Sequence, residues 1–159
     1  MSETNKNWDV IDLPVVHDLR GNLTVIEAER QVPFDIRRVY YLYDVPSGSE
    51  RAGHAHKTLQ QLIIAGSGSF SIHLDDGLRQ ESIFLNRSHK GVLLKPMVWR
   101  VINNFSSGAV CMVMASAHYD ESDYIRDHTD FRRAASVRWA AAGIPTSGSP
   151  TPGIPTSGV

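Results

Sequence analysis

Between residues 36 and 115 the chain offers one short β-forming run after another, each stopped by glycine, proline or aspartate before it reaches helical length. Residues 36–45 are rich in β-branched and aromatic side chains and predict a strand. Phe70, Ile72 and Leu74 alternate with Ser71 and His73, the period of a half-buried strand. Asp75-Asp76-Gly77 predicts a type I′ hairpin turn, and residues 78–85 return from it. Residues 98–102 form the next strand, and the nearly unbroken apolar run 109–115 predicts a central one. Upstream, residues 8–13 and 23–28 read as strands on either side of a turn at 17–22. Helical character comes only late: residues 119–127 suggest a short charged turn, and Thr129 is placed to cap a helix over 130–139. So many short strands with so little helix imply an all-β sandwich or barrel with one short C-terminal helix.

A length of 159 residues predicts one folded domain, here 1–139. Residues 140–159 repeat Gly-Ile-Pro-Thr-Ser-Gly at 143–148 and 153–158 and predict a disordered tail that cannot build a core. The net charge of −1 removes the electrostatic case for nucleic acid or an anionic membrane as partner. No apolar run approaches the roughly eighteen residues that a bilayer-crossing helix needs. Cys111 is the only cysteine, so no intrachain disulfide can form and a reducing, cytoplasmic setting fits. Its apolar neighbours predict a buried, inert thiol.

The chemistry concentrates in Arg51-Ala52-Gly53-His54-Ala55-His56-Lys57, the one His-x-His of the chain. On a strand, residues two apart share a face, so His54 and His56 project together, about 7 Å apart along the backbone. Such a pair binds a metal or moves protons near neutral pH. With Pro96 about forty residues on, it resembles the two half-motifs of the cupin jelly roll. Cupins that bind metal follow His-x-His with a glutamate and later add a third histidine. Here Gln60 or Gln61 stands in the glutamate's place, and residues 97–107 contain no histidine. Two imidazoles alone make a poor divalent-metal site, so no metal and no cofactor is expected.

Without a metal the pair reads as acid–base machinery. An imidazole can take a proton from the carbon next to a carbonyl, and a neighbouring donor can stabilise the resulting enediolate. Tyr40 and Tyr41 lie on opposite faces of the preceding strand, and periodicity leaves open which one looks inward. Arg20, Arg38, Arg51 and Arg100 fall on or beside the strands, and guanidinium groups hold phosphates by forked hydrogen bonds. No P-loop and no G-x-G-x-x-G is present, which argues against a kinase or a Rossmann dehydrogenase.

These blocks resemble the dTDP-4-keto-6-deoxyhexose 3,4-ketoisomerases, small cupins of deoxysugar biosynthesis. The matching stretches are residues 18–21, 33–41, 51–57, 74–77, 96–99, 104–107 and 119–126, covering about residues 8–133. The most specific pairing is Arg51-x-x-His54-Ala55-His56-Lys57 with Tyr119-Asp120-Glu121-x-Asp123-Tyr124-Ile125-Arg126. The resemblance implies a metal-independent enzyme that moves the keto group of a dTDP-linked 4-keto-6-deoxyhexose from C4 to C3. It implies His56 as the main base and His54 as its partner, with Tyr40 or Tyr41 assisting. Arg51 would bind phosphate or orient the sugar, with Arg20, Arg38 and Lys57 as further substrate ligands. Trp99 and Arg100 would line the hexose pocket. It further implies a homodimer that exchanges N-terminal strands, with residues 8–13 as the exchanged segment. Two competing readings are an epimerase on a similar substrate and a non-catalytic nucleotide-sugar-binding cupin; a metal-dependent dioxygenase ranks below both.

Overall fold

The computed structural model describes residues 6–146. In chain order the strands are β1 (Trp8–Asp12), β2 (Val15–Asp18), β3 (Gly21–Thr24), β4 (Arg38–Leu42), β5 (Arg51–His56) and β6 (Gln61–Ser67). There follow β7 (Phe70–Asp75), β8 (Gln80–Leu85), β9 (Lys90–Leu94), β10 (Trp99–Asn103), β11 (Val110–Ala115) and β12 (Tyr124–Ile125). A single 3-10 turn (Glu121–Asp123) precedes β12, and the helix α1 (His128–Ala141) follows it.

Ten strands form two five-stranded sheets, ordered β1-β9-β6-β11-β4 and β12-β5-β10-β7-β8, while β2 and β3 make a separate hairpin. All paired strands are antiparallel. This is the cupin-type jelly-roll sandwich. The inward residues of both sheets, among them Ile63, Phe70, Ile72, Leu74, Leu94, Cys111 and Val113, form one core with Trp8. Burial pushes the Cys111 thiol up to about 12, which leaves it protonated and unreactive.

Both sheets are also covered on their outer faces. Leu13, Val32 and Phe34 pack over Leu62, Ile64, Leu93 and Met114 of the first sheet. Phe131, Ala135 and Trp139 of α1 pack over Ala55, Trp99 and Val101 of the second. Strands buried on both faces need no polar alternation, which is why 109–115 reads as an unbroken apolar run. Among the described residues no helix is long and apolar enough to cross a membrane.

The local differences from the sequence reading have local causes. The turn after Asp75 spans four residues rather than two. Asp76 Oδ1 accepts from the Leu78 and Arg79 amides at 3.0 and 2.9 Å, and Asp75 Oδ1 accepts from the Gly77 amide at 2.6 Å. Helix α1 packs onto this turn: Trp139 Nε1 donates to the Asp76 carbonyl at 2.7 Å, and a Cβ on Gly77 would lie 2.6 Å from Ala135 Cβ. The cap of α1 is Asp127, which accepts from the Asp130 amide at 2.9 Å; Thr129 lies inside the helix.

The helix also runs past residue 139, into what the sequence assigns to the tail. Gly143 takes φ +75°, its amide donates to the Ala140 carbonyl, and the Ile144 amide donates to the Trp139 carbonyl. This is a Schellman stop, with Ile144 packed back on the helix cluster. Residues 147–159 lie outside the described residues. Instead of continuing to residue 28, β3 ends at Thr24; only an Ala28–Val32 bridge follows.

Candidate active site

The geometry of the site begins with a bulge in β5. Arg100 of β10 faces His54 and Val101 faces Ala52, so Gly53 is the extra residue. Ala52 and Gly53 take φ +71° and +69°. The left-handed region disfavours a residue with a Cβ, so Ala52 is held there against its preference. Beyond the bulge, His54 and His56 face between the sheets while Ala55 faces α1.

The two imidazoles come closer than their backbone spacing suggests. Their ring centroids are 4.9 Å apart, with planes at 84°. Tyr124 lies against both rings, at 4.9 Å from His54 and 4.3 Å from His56. It gets there because β12 pairs with the end of β5, Tyr124 opposite His56.

His56 has one ring nitrogen tied. His56 Nδ1 is 3.0 Å from Asp123 Oδ2. Asp123 also accepts from the Thr58 amide at 2.8 Å, the Thr58 hydroxyl at 2.7 Å and the Leu59 amide at 3.3 Å. A carboxylate only accepts, so the His56 proton sits on Nδ1 and Nε2 carries the lone pair. The Ala52 backbone beside His54 favours a proton on its ring but is outweighed. Burial, followed by the Arg100 guanidinium, drives both imidazoles down to about 2. At physiological pH both are neutral bases.

His54 stands on the wall of a cavity of about 820 Å³ between the sheets, together with Arg38, Tyr40, Arg51, Gln61, Arg100, Tyr119, Tyr124 and Arg126. Arg100 is 1% exposed, and burial lowers it to about 10, so it remains a cation at neutral pH. Its Nη1 donates to Gln61 Oε1 at 3.1 Å, while Nε and Nη2 are buried without a protein partner. Gln61 Nε2 donates to the Tyr40 hydroxyl at 2.9 Å. Burial pushes the Tyr40 phenol up, so it stays protonated.

At the cavity edge, Arg126 lies 4.2 Å over the Tyr124 ring and is paired with Glu121 at 2.6 and 2.8 Å. Tyr119 donates to the same carboxylate. These bonds hold Glu121 down to about 2 and raise Arg126.

Of the residues singled out in the sequence, Arg38, Tyr40, Arg51, His54 and Arg100 line the cavity. His56 lies behind them at 1% exposure, so it is the less accessible of the two histidines. Four others lie elsewhere. Trp99 is adjacent to Arg100 on β10 and must take the opposite face; it packs on Phe131 and His128 under α1. Tyr41 is 57% exposed on the outer face of β4, beside Tyr43. Lys57 reaches across the strand end and donates to the Ser122 carbonyl at 2.7 Å. Arg20 sits at the tip of the β2–β3 hairpin, paired with Asp18 at 2.5 Å.

The sequence reading assigned no role to Asp123, Tyr124 or Arg126 and took their segment for a helical turn on the barrel. The signal was there, in a dense mix of carboxylates, aromatics and arginine between β11 and α1. The donor set does not favour a divalent metal. The side chain in the glutamate's place is Gln61, committed to Tyr40 and Arg100. The Arg100 guanidinium, which adds to burial in keeping the imidazoles neutral, would also repel a metal cation.

Known proteins resemble this chain in sequence and in fold. The chain is 41% identical over 124 residues to the TDP-4-oxo-6-deoxy-alpha-D-glucose-3,4-oxoisomerase of Aneurinibacillus thermoaerophilus, covering 78% of this chain and 89% of that one. The crystal structure of QdtA, a sugar 3,4-ketoisomerase from Thermoanaerobacterium thermosaccharolyticum in complex with TDP, superposes with a TM-score of 0.82 at 38% identity. That match covers 84% of this chain and 97% of QdtA. The dTDP-6-deoxy-D-glucose-3,5-epimerase of Legionella pneumophila shares only the fold, at 13% identity and a TM-score of 0.66 over 77% of this chain and 73% of the epimerase. Residues 6–136 match the family model described as FdtA: WxcM-like, C-terminal, and the chain belongs to that family of β-sandwich proteins.

Proposed function

We propose that the protein is a dTDP-4-keto-6-deoxyhexose 3,4-ketoisomerase that moves the keto group from C4 to C3. One observation carries this reading: two neutral imidazoles stand side by side, His54 on the wall of a cavity that holds a buried guanidinium and His56 tied to Asp123 just behind it. A neutral base can take the proton at C3, and a fixed cation and donor can stabilise the oxygen charge that follows.

In the forward reaction the C3–H bond breaks toward a base. Its electron pair forms the C3–C4 double bond, and the C4 carbonyl electrons move onto oxygen. The C4 oxyanion takes up a proton to become the C4 hydroxyl, the C3 hydroxyl releases its proton as the C3 carbonyl forms, and C4 takes up a proton. The family resemblance implied His56 as the main base. The cavity supports the reverse division: His54, on the wall, takes the C3 proton. His56, oriented by Asp123, is the second proton carrier. Tyr40 and Arg100 face the developing enediolate, and Arg38 and Arg51 serve the diphosphate.

We also propose a homodimer, but with a different exchanged segment. Strand β1 pairs with β9 of its own chain, and Trp8 is in its own core. The β2–β3 hairpin presents Val15, Val16, Leu19 and Leu23 to solvent, and Val39 and Tyr41 lie exposed on β4. These two apolar surfaces suit an interface between two copies. A buried, inert Cys111 fits a cytoplasmic setting.

The test is proton NMR of dTDP-4-keto-6-deoxyglucose incubated with the protein in D₂O and chelator. Deuterium at C4 together with a 3-keto sugar is the expected result. Exchange at C3 or C5 with the ketone still at C4 would indicate an epimerase. Bound nucleotide-sugar without exchange would indicate a binding module.

A further inference from the structure

Gln61 is 1% exposed and sits between two groups of opposite need. Arg100 has donors only, so its bond at 3.1 Å requires the Gln61 oxygen. The amide nitrogen is therefore the atom that faces the Tyr40 hydroxyl at 2.9 Å. A nitrogen donates, so Tyr40 Oη accepts this bond, and its own proton must point elsewhere. Tyr40 and Gln61 both line the cavity, and the side open to the phenol proton is the cavity itself.

We infer that Gln61 is a positioning residue that turns the Tyr40 phenol proton into the cavity, making Tyr40 a hydrogen-bond donor to the sugar oxygen on which negative charge develops. A glutamate at this place would do the opposite. Its carboxylate would accept from Arg100 and from Tyr40 alike, drawing the phenol proton away from the substrate. The amide thus sets the polarity of the chain Arg100–Gln61–Tyr40, and the buried phenol, held protonated, is its outlet. The inference rests on the ketoisomerase reading and says how one donor of that site is aimed.

Three variants test it: Gln61→Glu, Gln61→Met and Tyr40→Phe. Glutamate is nearly isosteric with glutamine and can keep both hydrogen bonds. Methionine breaks both. If Gln61 only satisfies buried polar groups, Gln61→Met is the more damaging change. If it aims the Tyr40 proton, Gln61→Glu is. Loss of one preorganised donor to a developing oxyanion typically costs about 10²–10³ in kcat. The expected result is a loss of about that size for Gln61→Glu and for Tyr40→Phe, with KM within a few-fold. Gln61→Met should lose less, because a freed hydroxyl can still turn toward the substrate. The double variant Gln61→Glu/Tyr40→Phe should be no slower than Tyr40→Phe alone, since both act through one proton.

Losses that multiply in the double variant, or a Gln61→Met slower than Gln61→Glu, would overturn the inference and leave the ketoisomerase reading intact. Should Gln61→Glu fail to fold, the comparison of Gln61→Met with Tyr40→Phe decides: a smaller kcat loss for Gln61→Met that adds nothing to Tyr40→Phe in the double variant supports shared action through Tyr40, and equal or compounding losses overturn it. Absence of turnover by the unmodified protein would overturn the ketoisomerase reading and this inference with it.

Discussion

Strands β5 and β10 carry two faces of contrasting chemistry within the same eleven backbone positions. On one face Ala55, Trp99 and Val101 pack under α1 with no charge among them. On the other, beside the half-buried His54, His56 and Arg100 are buried with a lone pair and N–H groups that the protein does not satisfy. On the first face the one such atom among these three side chains is Trp99 Nε1, whereas the second departs further from the ordinary rule for interiors and does so with a charged group. Desolvating a guanidinium costs several kcal/mol after relaxation, and Gln61 offsets only part of that. The apolar face, with Trp99 at 1% exposure, is what lets the strand pair carry such a site and still hold its register. A base and a cation fixed on a rigid sheet need no reorganisation when charge develops.

The contrast implies that changes on the inner face cost rate and changes on the outer face cost stability. The largest effect is expected for His54→Asn, which should lower kcat by about 10²–10⁴ with the thermal midpoint nearly unchanged. Steady-state kinetics beside calorimetry reads both, and a large fall in the midpoint would collapse the distinction. Trp99→Ala should lose about 3–5 kcal/mol of stability, as truncation of a buried aromatic does. Denaturant melts measure that loss, and the fraction that stays folded should keep most of its kcat. A selective fall in kcat would instead put Trp99 in the site.

Asp123→Asn sharpens the inner face further. The amide nitrogen can donate to His56 Nδ1 and move the ring proton to Nε2, so a loss of about 10² in kcat is expected. Nitrogen NMR of the His56 ring should show the changed tautomer. An unchanged tautomer with lost activity would reduce Asp123 to a clasp between β5 and the 119–126 segment.

The pH dependence separates rate from stability. Both histidines are neutral in the fold down to about 2, so kcat/KM should show no acid limb near 6.5 between pH 5 and 8. An unfolded chain binds protons on these histidines below about 6.5, whereas the fold does not. Stability therefore declines as pH falls from about 6.5 toward 2, by at most about 1.4 kcal/mol per pH unit for each. Melts at pH 7 and 5 check the sign. The smallest effect is expected for Arg51→Ala, at the cavity edge, which should raise KM about tenfold and leave kcat in place.

The sequence alone determined the sandwich, the order of its main strands and the His54–His56 pair. These follow from local pattern: β-branched runs closed by turn residues, and a period of two that puts both histidines on one face. The same period forbids Trp99 and Arg100 from sharing a pocket, a constraint the family resemblance had overridden. Gly143 carried a helix-stop signal inside a stretch that its repeat made look like tail. Only the tertiary structure decided the rest. Tyr40 rather than Tyr41 faces inward because β4 is an edge strand whose outer face meets solvent. Asp123 meets His56 because a two-residue strand, too short to read from composition, closes the sheet edge beside β5. Residues 67 positions apart in the chain become a dyad through that pairing, and no local propensity encodes a contact of such separation.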